Sequence, residues 1–152
     1  MPYLHLDLTR DYPLTVKRDL AKRLGDIYAE VMQTTPDLVN VTFRELGQGN
    51  VWKCGSDEPH PAVVVSCEIR RGRPPEQREP LGRALLAAVS QALELDPTLT
   101  AVEMTQHAGD EIYLEAHVDG VLQGGLGKDW NPGETERSMM ETLIAERFPA
   151  PR

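Results

Sequence analysis

A pattern of apolar residues recurs after 61 positions in this chain of 152 residues, and it predicts an α/β (α+β) fold of two tandem β-α-β units. Each unit carries one apolar stripe at helical spacing: Leu20, Leu24, Ile27 and Val31 in the first, and Leu81, Leu85, Ala88 and Ala92 in the second. Pro36 and Pro97 lie in the same register. Because a crossover helix joins two parallel strands in each unit, we expect a four-stranded sheet with both helices on one face.

The first unit spans about residues 2–46. Its first strand, residues 3–8, is predicted by three leucines that alternate with polar residues: Leu4, Leu6 and Leu8. Pro13 suits the start of the helix that follows, because a proline there gives up no helical hydrogen bond. The second strand of the unit is predicted over residues 38–44.

The second unit spans about residues 62–106 and repeats this order of elements. Its helix is predicted to begin near Pro74-Pro75, and its second strand covers residues 99–105. Its first strand is apolar on both faces, at Val63, Val64 and Val65. The two helices cover only one face of the sheet, so apolar residues on the other face predict that something else covers it. Self-association of the chain is the simplest explanation.

The remaining residues, 107–152, form an extension of the same single domain, which spans residues 1–152. Two short apolar stretches, Ile112 to Val118 and Val121-Leu122, flank the dipeptide Asp119-Gly120. This dipeptide is typical of a type I′ turn, so the sequence predicts a β-hairpin. A short C-terminal helix is predicted over residues 134–147.

Composition excludes several classes of function. The net charge of −8 argues against nucleic-acid binding, which needs a basic surface, and no apolar run is long enough for a membrane span. The first residues lack the pattern of a secretory signal, so we expect a cytoplasmic protein. Two cysteines and four histidines show no metal-ligand spacing, and we expect neither a metal nor a cofactor.

Pro2 is the first candidate catalytic residue. Removal of the initiator methionine before a small residue would leave the nitrogen of Pro2 as a secondary amine. An apolar pocket and nearby cations lower the pKa of such an amine, and a base that is neutral near pH 7 moves protons at a carbon next to a carbonyl. Taken alone, a proline at this position is better explained as a relic of processing that has no catalytic role.

The run Ile69-Arg70-Arg71-Gly72-Arg73 leaves the third strand, turns at a glycine and enters the second helix. Arg70 and Arg73 are therefore expected to converge at the end of the sheet, in front of a helix N-terminus. That arrangement suits a carboxylate or an enolate. The alternative is a pair of surface arginines that bind Glu68 and Glu76.

Pro2, the duplicated strand-helix-strand unit and the arginine run together resemble the tautomerase superfamily over about residues 2–106. The likeness is to its two-repeat members, the cis-3-chloroacrylic acid dehalogenase group and the neighbouring malonate semialdehyde decarboxylase. It implies that Pro2 is a catalytic base or acid, and that Arg70 and Arg73 bind and polarise the carboxylate of a small anionic substrate. It also implies a homotrimer, which would cover the open face of the sheet.

Other positions depart from the dehalogenase group. Its helix-one histidine falls at Tyr28, its strand-four tyrosine at Glu103, and its water-activating glutamate near Leu114, with Glu111 and Glu115 beside it. These departures argue against dehalogenation and leave the proline chemistry intact. Tyr28, Glu103 and Glu115 stay as candidate catalytic residues, with packing as the alternative role of Tyr28.

Two further residues are candidates for substrate binding. Asp37 matches the aspartate of the decarboxylase only with a one-residue gap in the alignment. His107 follows the fourth strand and is close enough to its end to reach a pocket, although a single histidine is equally typical of a surface.

The leading hypothesis is a cofactor-free tautomerase, an isomerase of small 2-oxo or enol acids that uses Pro2 as the general base. In the second hypothesis, Pro2 is a general acid while Glu115, Glu111 or Asp37 activates water, which gives hydration, dehalogenation or decarboxylation. The third is a trimeric binding protein that has kept the fold without the activity.

Overall fold

The computed structural model describes residues 2–111, 116–118, 121–123 and 128–151. The helices and strands follow in the order β1 (Tyr3–Leu8), α1 (Leu14–Val31), β2 (Asn40–Glu45), β3 (Trp52–Lys53), β4 (His60–Pro61), β5 (Val63–Arg70), α2 (Pro75–Ala92), β6 (Thr100–His107), β7 (Ala116–Val118), β8 (Val121–Gln123) and α3 (Glu134–Arg147). None of these helices, within the described ranges, is long and apolar enough to cross a membrane.

The central sheet has four strands in the order β2-β1-β5-β6. Within each β-α-β unit the two strands are parallel, β1 with β2 and β5 with β6, and the two units meet where β1 and β5 run antiparallel. The predicted arrangement of two tandem units in one four-stranded sheet is therefore confirmed. In the central pairing Tyr3 lies opposite Glu68.

The core lies between this sheet and the two helices on one of its faces. Alternate residues of β1 and β5 point into it and are buried: Leu4, Leu6, Leu8, Val63, Val65, Cys67 and Ile69. The opposite face carries the polar residues of the alternation, such as the ion pair between Arg44 and Asp7, 2.6 Å apart. This face is more polar than the apolar run Val63–Val65 indicated, because only Val64 of that run lies on it.

The repeat of 61 residues is visible in the backbone. Both helices have 18 residues, and the bounds of α2 are those of α1 moved by 61 positions. After each helix the chain passes through a residue with positive φ, Gln33 at 52° and Glu94 at 53°. A short 3-10 turn then follows in both units, at Pro36–Leu38 and Pro97–Leu99.

β2 begins at Asn40 rather than at the predicted residue 38, because residues 38 and 39 form the end of the first 3-10 turn. The short pair of β3 and β4 was not predicted; strands of two residues are too short to show a period.

The extension has the two predicted elements. The strands of the hairpin pair antiparallel, with Val118 opposite Val121, and the helix over residues 134–147 is confirmed. The first half of the predicted hairpin, residues 112–115, and its turn at Asp119-Gly120 lie outside the described residues.

Candidate active site

A cavity of about 290 Å³ lies at the end of the sheet where β1 begins and β5 ends. It brings together four of the residues that the sequence singled out, Pro2, Tyr28, Arg70 and Arg73. Residues that the sequence analysis did not select complete its lining: Gln33, Thr34, Leu38 and Trp130.

The antiparallel pairing of β1 with β5 explains why Pro2 and the arginines meet. Since Tyr3 lies opposite Glu68, the residue before Tyr3 lies beside the last residues of β5. The chain then turns at Gly72, whose φ of +103° favours glycine, and returns Arg73 to the same end of the sheet. Residues 71 positions apart in sequence are thus neighbours across one cavity.

Arg73 is the most unusual group in the cavity. Only 8% of it is exposed, and its Nε and Nη1 atoms are buried with no hydrogen-bond partner among the described residues. Burial lowers the pKa of the Arg73 guanidinium to about 10, so the group keeps its charge at neutral pH. A buried cation with unsatisfied donors costs free energy unless an anion binds it, which points to an anion site.

Tyr28 contributes a buried phenol from the last turns of α1. Only 3% of the residue is exposed. Burial raises the pKa of Tyr28, helped by nearby Cys67 and opposed by the positive charge of Arg73. The phenol is therefore neutral near pH 7, where it is able to donate a hydrogen bond and is not available as a base.

Arg70 lines the cavity and also holds the chain around it. Its Nε donates to the carbonyl oxygen of Lys128 at 2.5 Å, and its Nη2 to the carbonyl oxygen of Asp129 at 3.4 Å. Desolvation lowers the pKa of Arg70, and the negative charge of Asp129 opposes this shift.

Trp130 closes one side of the cavity from outside the two repeats. The guanidinium carbon of Arg73 lies 4.2 Å from the centre of the Trp130 ring. The backbone N–H of Trp130 donates to the carbonyl oxygen of Arg71 at 2.8 Å. The sequence did not indicate Trp130 as a lining residue, because no motif around it points to contact with a turn about sixty positions earlier.

No protein-family model and no curated protein matches the chain. Solved structures do. A member of the cis-3-chloroacrylic acid dehalogenase family superposes with a TM-score of 0.66 at 21% identity, over 93% of this chain and 97% of that one. A fused 4-OT, described as a symmetric trimer, gives 0.67 at 19% identity over 78% and 95%. Malonate semialdehyde decarboxylase gives 0.59 at 14% identity over 70% and 85%.

The chain has the fold of the tautomerase superfamily. The resemblance inferred from Pro2, the repeat and the arginine run is thereby confirmed for the fold. In the tautomerase fold of this chain, the predicted proline and both predicted arginines line one cavity.

Three other predicted site residues do not line this cavity as the structure describes it. Asp37 is exposed in the 3-10 turn, where its backbone N–H donates to the Thr35 hydroxyl oxygen. Glu103 lies opposite Ser66 on the sheet face away from the helices, because its neighbours along β6 face the core. The Nε2 atom of His107 lies 3.6 Å from Glu68.

The predicted carboxylates of the extension are not placed in the cavity either. Glu111 accepts a hydrogen bond from the backbone N–H of Ala108 at 2.9 Å and is exposed. Glu115 lies outside the described residues. No group of three or more His, Cys, Asp and Glu side chains suited to a metal ion occurs among the residues that are described.

Proposed function

We propose that this chain is a cofactor-free tautomerase that isomerises a small 2-oxo or enol carboxylic acid. In this proposal the nitrogen of Pro2, freed by removal of Met1, is the general base. The observation that carries the proposal is the meeting of Pro2 with a buried, unsatisfied arginine and a neutral phenol in one small cavity.

The reaction needs one base and one anion site. Arg73, with Arg70 beside it, binds the substrate carboxylate. The Pro2 amine takes the proton of the enol hydroxyl, and the negative charge spreads over the enolate, close to the arginines and the Tyr28 hydroxyl. The ammonium group then gives the same proton to a substrate carbon, which yields the keto acid and restores the amine, so that no atom is gained or lost.

The charges around the cavity support the base role. Two guanidinium groups line the same cavity as Pro2. Positive neighbours disfavour a further positive charge, so we expect the pKa of the Pro2 amine to lie below that of an ordinary amine. The net charge of −8 belongs to the whole chain and is screened over its surface, whereas these two cations are local.

We also propose that the chain works as a homotrimer. The fused 4-OT with the same fold is described as a trimer. The sheet face without helices is the surface available for such contacts.

General-acid chemistry at Pro2 is the alternative within the same fold. Hydration, dehalogenation or decarboxylation would need a carboxylate that activates water beside the substrate. The predicted candidates for this carboxylate that the structure describes, Asp37 and Glu111, do not line the cavity. The role of Pro2 as a base therefore has more support.

The test combines intact mass with ketonisation of phenylenolpyruvate. We expect the mass to be lower by one methionine, and Pro2→Ala to lower kcat/KM by at least about 100-fold, the scale of a lost general base. Pro61→Ala, on β4 outside the cavity, is the matched control and should leave the rate unchanged.

Three results separate the alternatives. A rate that rises with pH up to an inflection near or below pH 7 supports the base, and a rate that falls only above an inflection well above pH 7 supports the acid. A retained Met1 with no turnover would leave a binding protein.

A further inference from the structure

The segment Lys128–Trp130 supplies one wall of the cavity and is fixed to the turn between β5 and α2. The carboxylate of Asp129 accepts two hydrogen bonds: one from Arg71 Nε at 2.8 Å and one from the backbone N–H of Gly109 at 3.0 Å. These bonds lower the pKa of Asp129, so the carboxylate stays charged well below neutral pH.

The backbones also approach each other closely on both sides of this segment. A Cβ atom at Gly72 would collide with the carbonyl oxygen of Trp130, and one at Gly109 with the carbonyl oxygen of Lys128. Glycine is thus required at both positions for the segment to sit where it does. These contacts fix the backbone that carries Trp130 against the turn between β5 and α2.

The position of the ring restricts what Arg73 can bind. The guanidinium carbon of Arg73 lies over the Trp130 ring, 4.2 Å from the ring centre, so an acid bound to Arg73 lies beside the indole. Guanidinium N–H groups point in the plane of the group, so a carboxylate bound to Arg73 lies in that plane. If the body of the acid is conjugated with its carboxylate, it continues in the same plane and projects no atoms out of that plane toward the indole beside it.

We propose that Trp130 determines the specificity of this site, and that it selects short, planar, conjugated carboxylic acids over saturated acids of the same size. The inference rests on the carboxylate site of the proposed function. A saturated ring or chain projects atoms out of the carboxylate plane and meets the indole. The cavity of about 290 Å³ adds an upper limit on length. Asp129 is a positioning residue that acts through Trp130.

Benzoate and cyclohexanecarboxylate test planarity at equal charge and equal carbon number. Neither contains a 2-oxo group, so their binding is measured by calorimetry without turnover. We expect benzoate to bind about tenfold more tightly to the unmodified chain, the scale of one aromatic contact. In Trp130→Leu we expect the ratio to fall to about one while both acids still bind, and in Trp130→Phe we expect most of the preference to remain.

A second readout locates the ligand. The chain has two tryptophans, and Trp52 is half exposed on β3, outside the cavity lining. In Trp52→Phe the fluorescence comes from Trp130 alone, and benzoate should change its emission. Asp129→Asn should reduce both the preference and the emission change, whereas Asp26→Asn, in an exposed pair with Lys22, should alter neither.

Each outcome decides a separate point. Equal binding of the two acids, or a preference that survives in Trp130→Leu, overturns the role of Trp130. Benzoate binding without a change in Trp130 emission places the ligand elsewhere and overturns it too. Selective binding at Trp130 in a chain that does not ketonise phenylenolpyruvate would support this inference and contradict the proposed function. If neither acid binds, the role of Trp130 is overturned, and the ketonisation of phenylenolpyruvate alone decides the proposed function.

Discussion

The two strand-to-helix turns of the repeat, residues 9–13 and residues 70–74, have the same place in the fold and opposite chemistry. Moved by 61 positions, Tyr12 of the first turn falls on Arg73 of the second, and Arg10 falls on Arg71. Both Tyr12 and Arg73 are buried. One repeat therefore places an aromatic ring where the other places a cation.

The first turn is held by its own repeat. Glu45, at the end of β2, accepts hydrogen bonds from the backbone N–H of Tyr12 at 2.9 Å and from Lys17 Nζ at 2.8 Å. The Tyr12 ring packs in the core, and Arg10 lies over it from outside, 4.8 Å from the ring centre. The contacts of the first turn therefore stabilise the fold.

The second turn is held by residues from outside the repeat. Asp129 supplies the carboxylate, and Trp130 supplies the aromatic ring, now with the arginine on the inside. A buried cation with unsatisfied donors is poor for stability and useful for binding an anion. The difference between the two turns lies in the extension, which supplies the ring and the carboxylate that pack against the turn at the candidate site.

The largest expected effect comes from removing the buried cation. Arg73→Met keeps an unbranched side chain of similar length and removes the charge. We expect kcat/KM for phenylenolpyruvate to fall by at least about 100-fold, the scale of a lost charge-stabilising donor. The midpoint of thermal unfolding should stay the same or rise, because the desolvated charge is gone.

The same substitution in the first turn, Arg10→Met, is the control and should leave the rate unchanged, since Arg10 is exposed and does not line the cavity. If Arg73→Met were instead to unfold the chain without loss of specific activity in the folded fraction, Arg73 would be structural, like Tyr12.

An intermediate effect is expected at Tyr28, whose counterpart in the second repeat is the aliphatic Val89. Tyr28→Phe keeps the ring in the core and removes one hydrogen-bond donor beside the substrate. We expect kcat to fall by about 10- to 100-fold, with the unfolding midpoint little changed. Because the pKa of Tyr28 is raised, wild-type activity should show no inflection from this phenol up to pH 10.

Tyr12→Phe removes a hydroxyl from the first turn and should leave kcat as it is. Equal losses of activity in the two variants would mean that the tyrosines act through stability alone.

The smallest effect is expected from the contacts of Glu45 that fix the first turn. Hydrogen bonds from Lys17 and from the Tyr12 backbone lower the pKa of Glu45. A lowered pKa stabilises the fold above the ordinary glutamate range, and this contribution is lost as the pH falls through the lowered value. Glu45→Gln should lower the unfolding midpoint by about 2 °C at pH 7, since the pair is near the surface.

The difference between Glu45→Gln and the unmodified chain should shrink as the pH falls below the ordinary glutamate range, and kcat at pH 7 should not change. A difference that does not shrink as the medium is acidified would contradict the ionic origin of the contact.

The sequence predicted those helices and strands that have a regular apolar period. The apolar stripes and the shift of 61 predicted two similar helices, and α1 and α2 have matching bounds. The alternation at Leu4, Leu6 and Leu8 predicted the buried face of β1. These features are local, and the period of a helix or strand is written in neighbouring residues.

The site was predictable only in part. Pro2 and the arginine run had a chemical signature of their own, and the structure brings them together. Glu103 was assigned to a site from its position along the chain, but strand alternation turns it to the other face of the sheet. Gln33 lines the cavity because a positive φ reverses the chain after α1, and no local motif marks that reversal.

By itself, the sequence determined two β-α-β units and the residues able to do acid-base and anion chemistry, because patterns and residue types are properties of short stretches. The tertiary structure alone decided which of the two equivalent turns became the site, since that depends on Asp129 and Trp130 meeting Arg71 and Arg73 across about sixty residues. The burial that leaves the Arg73 donors unsatisfied is likewise a property of the packed chain.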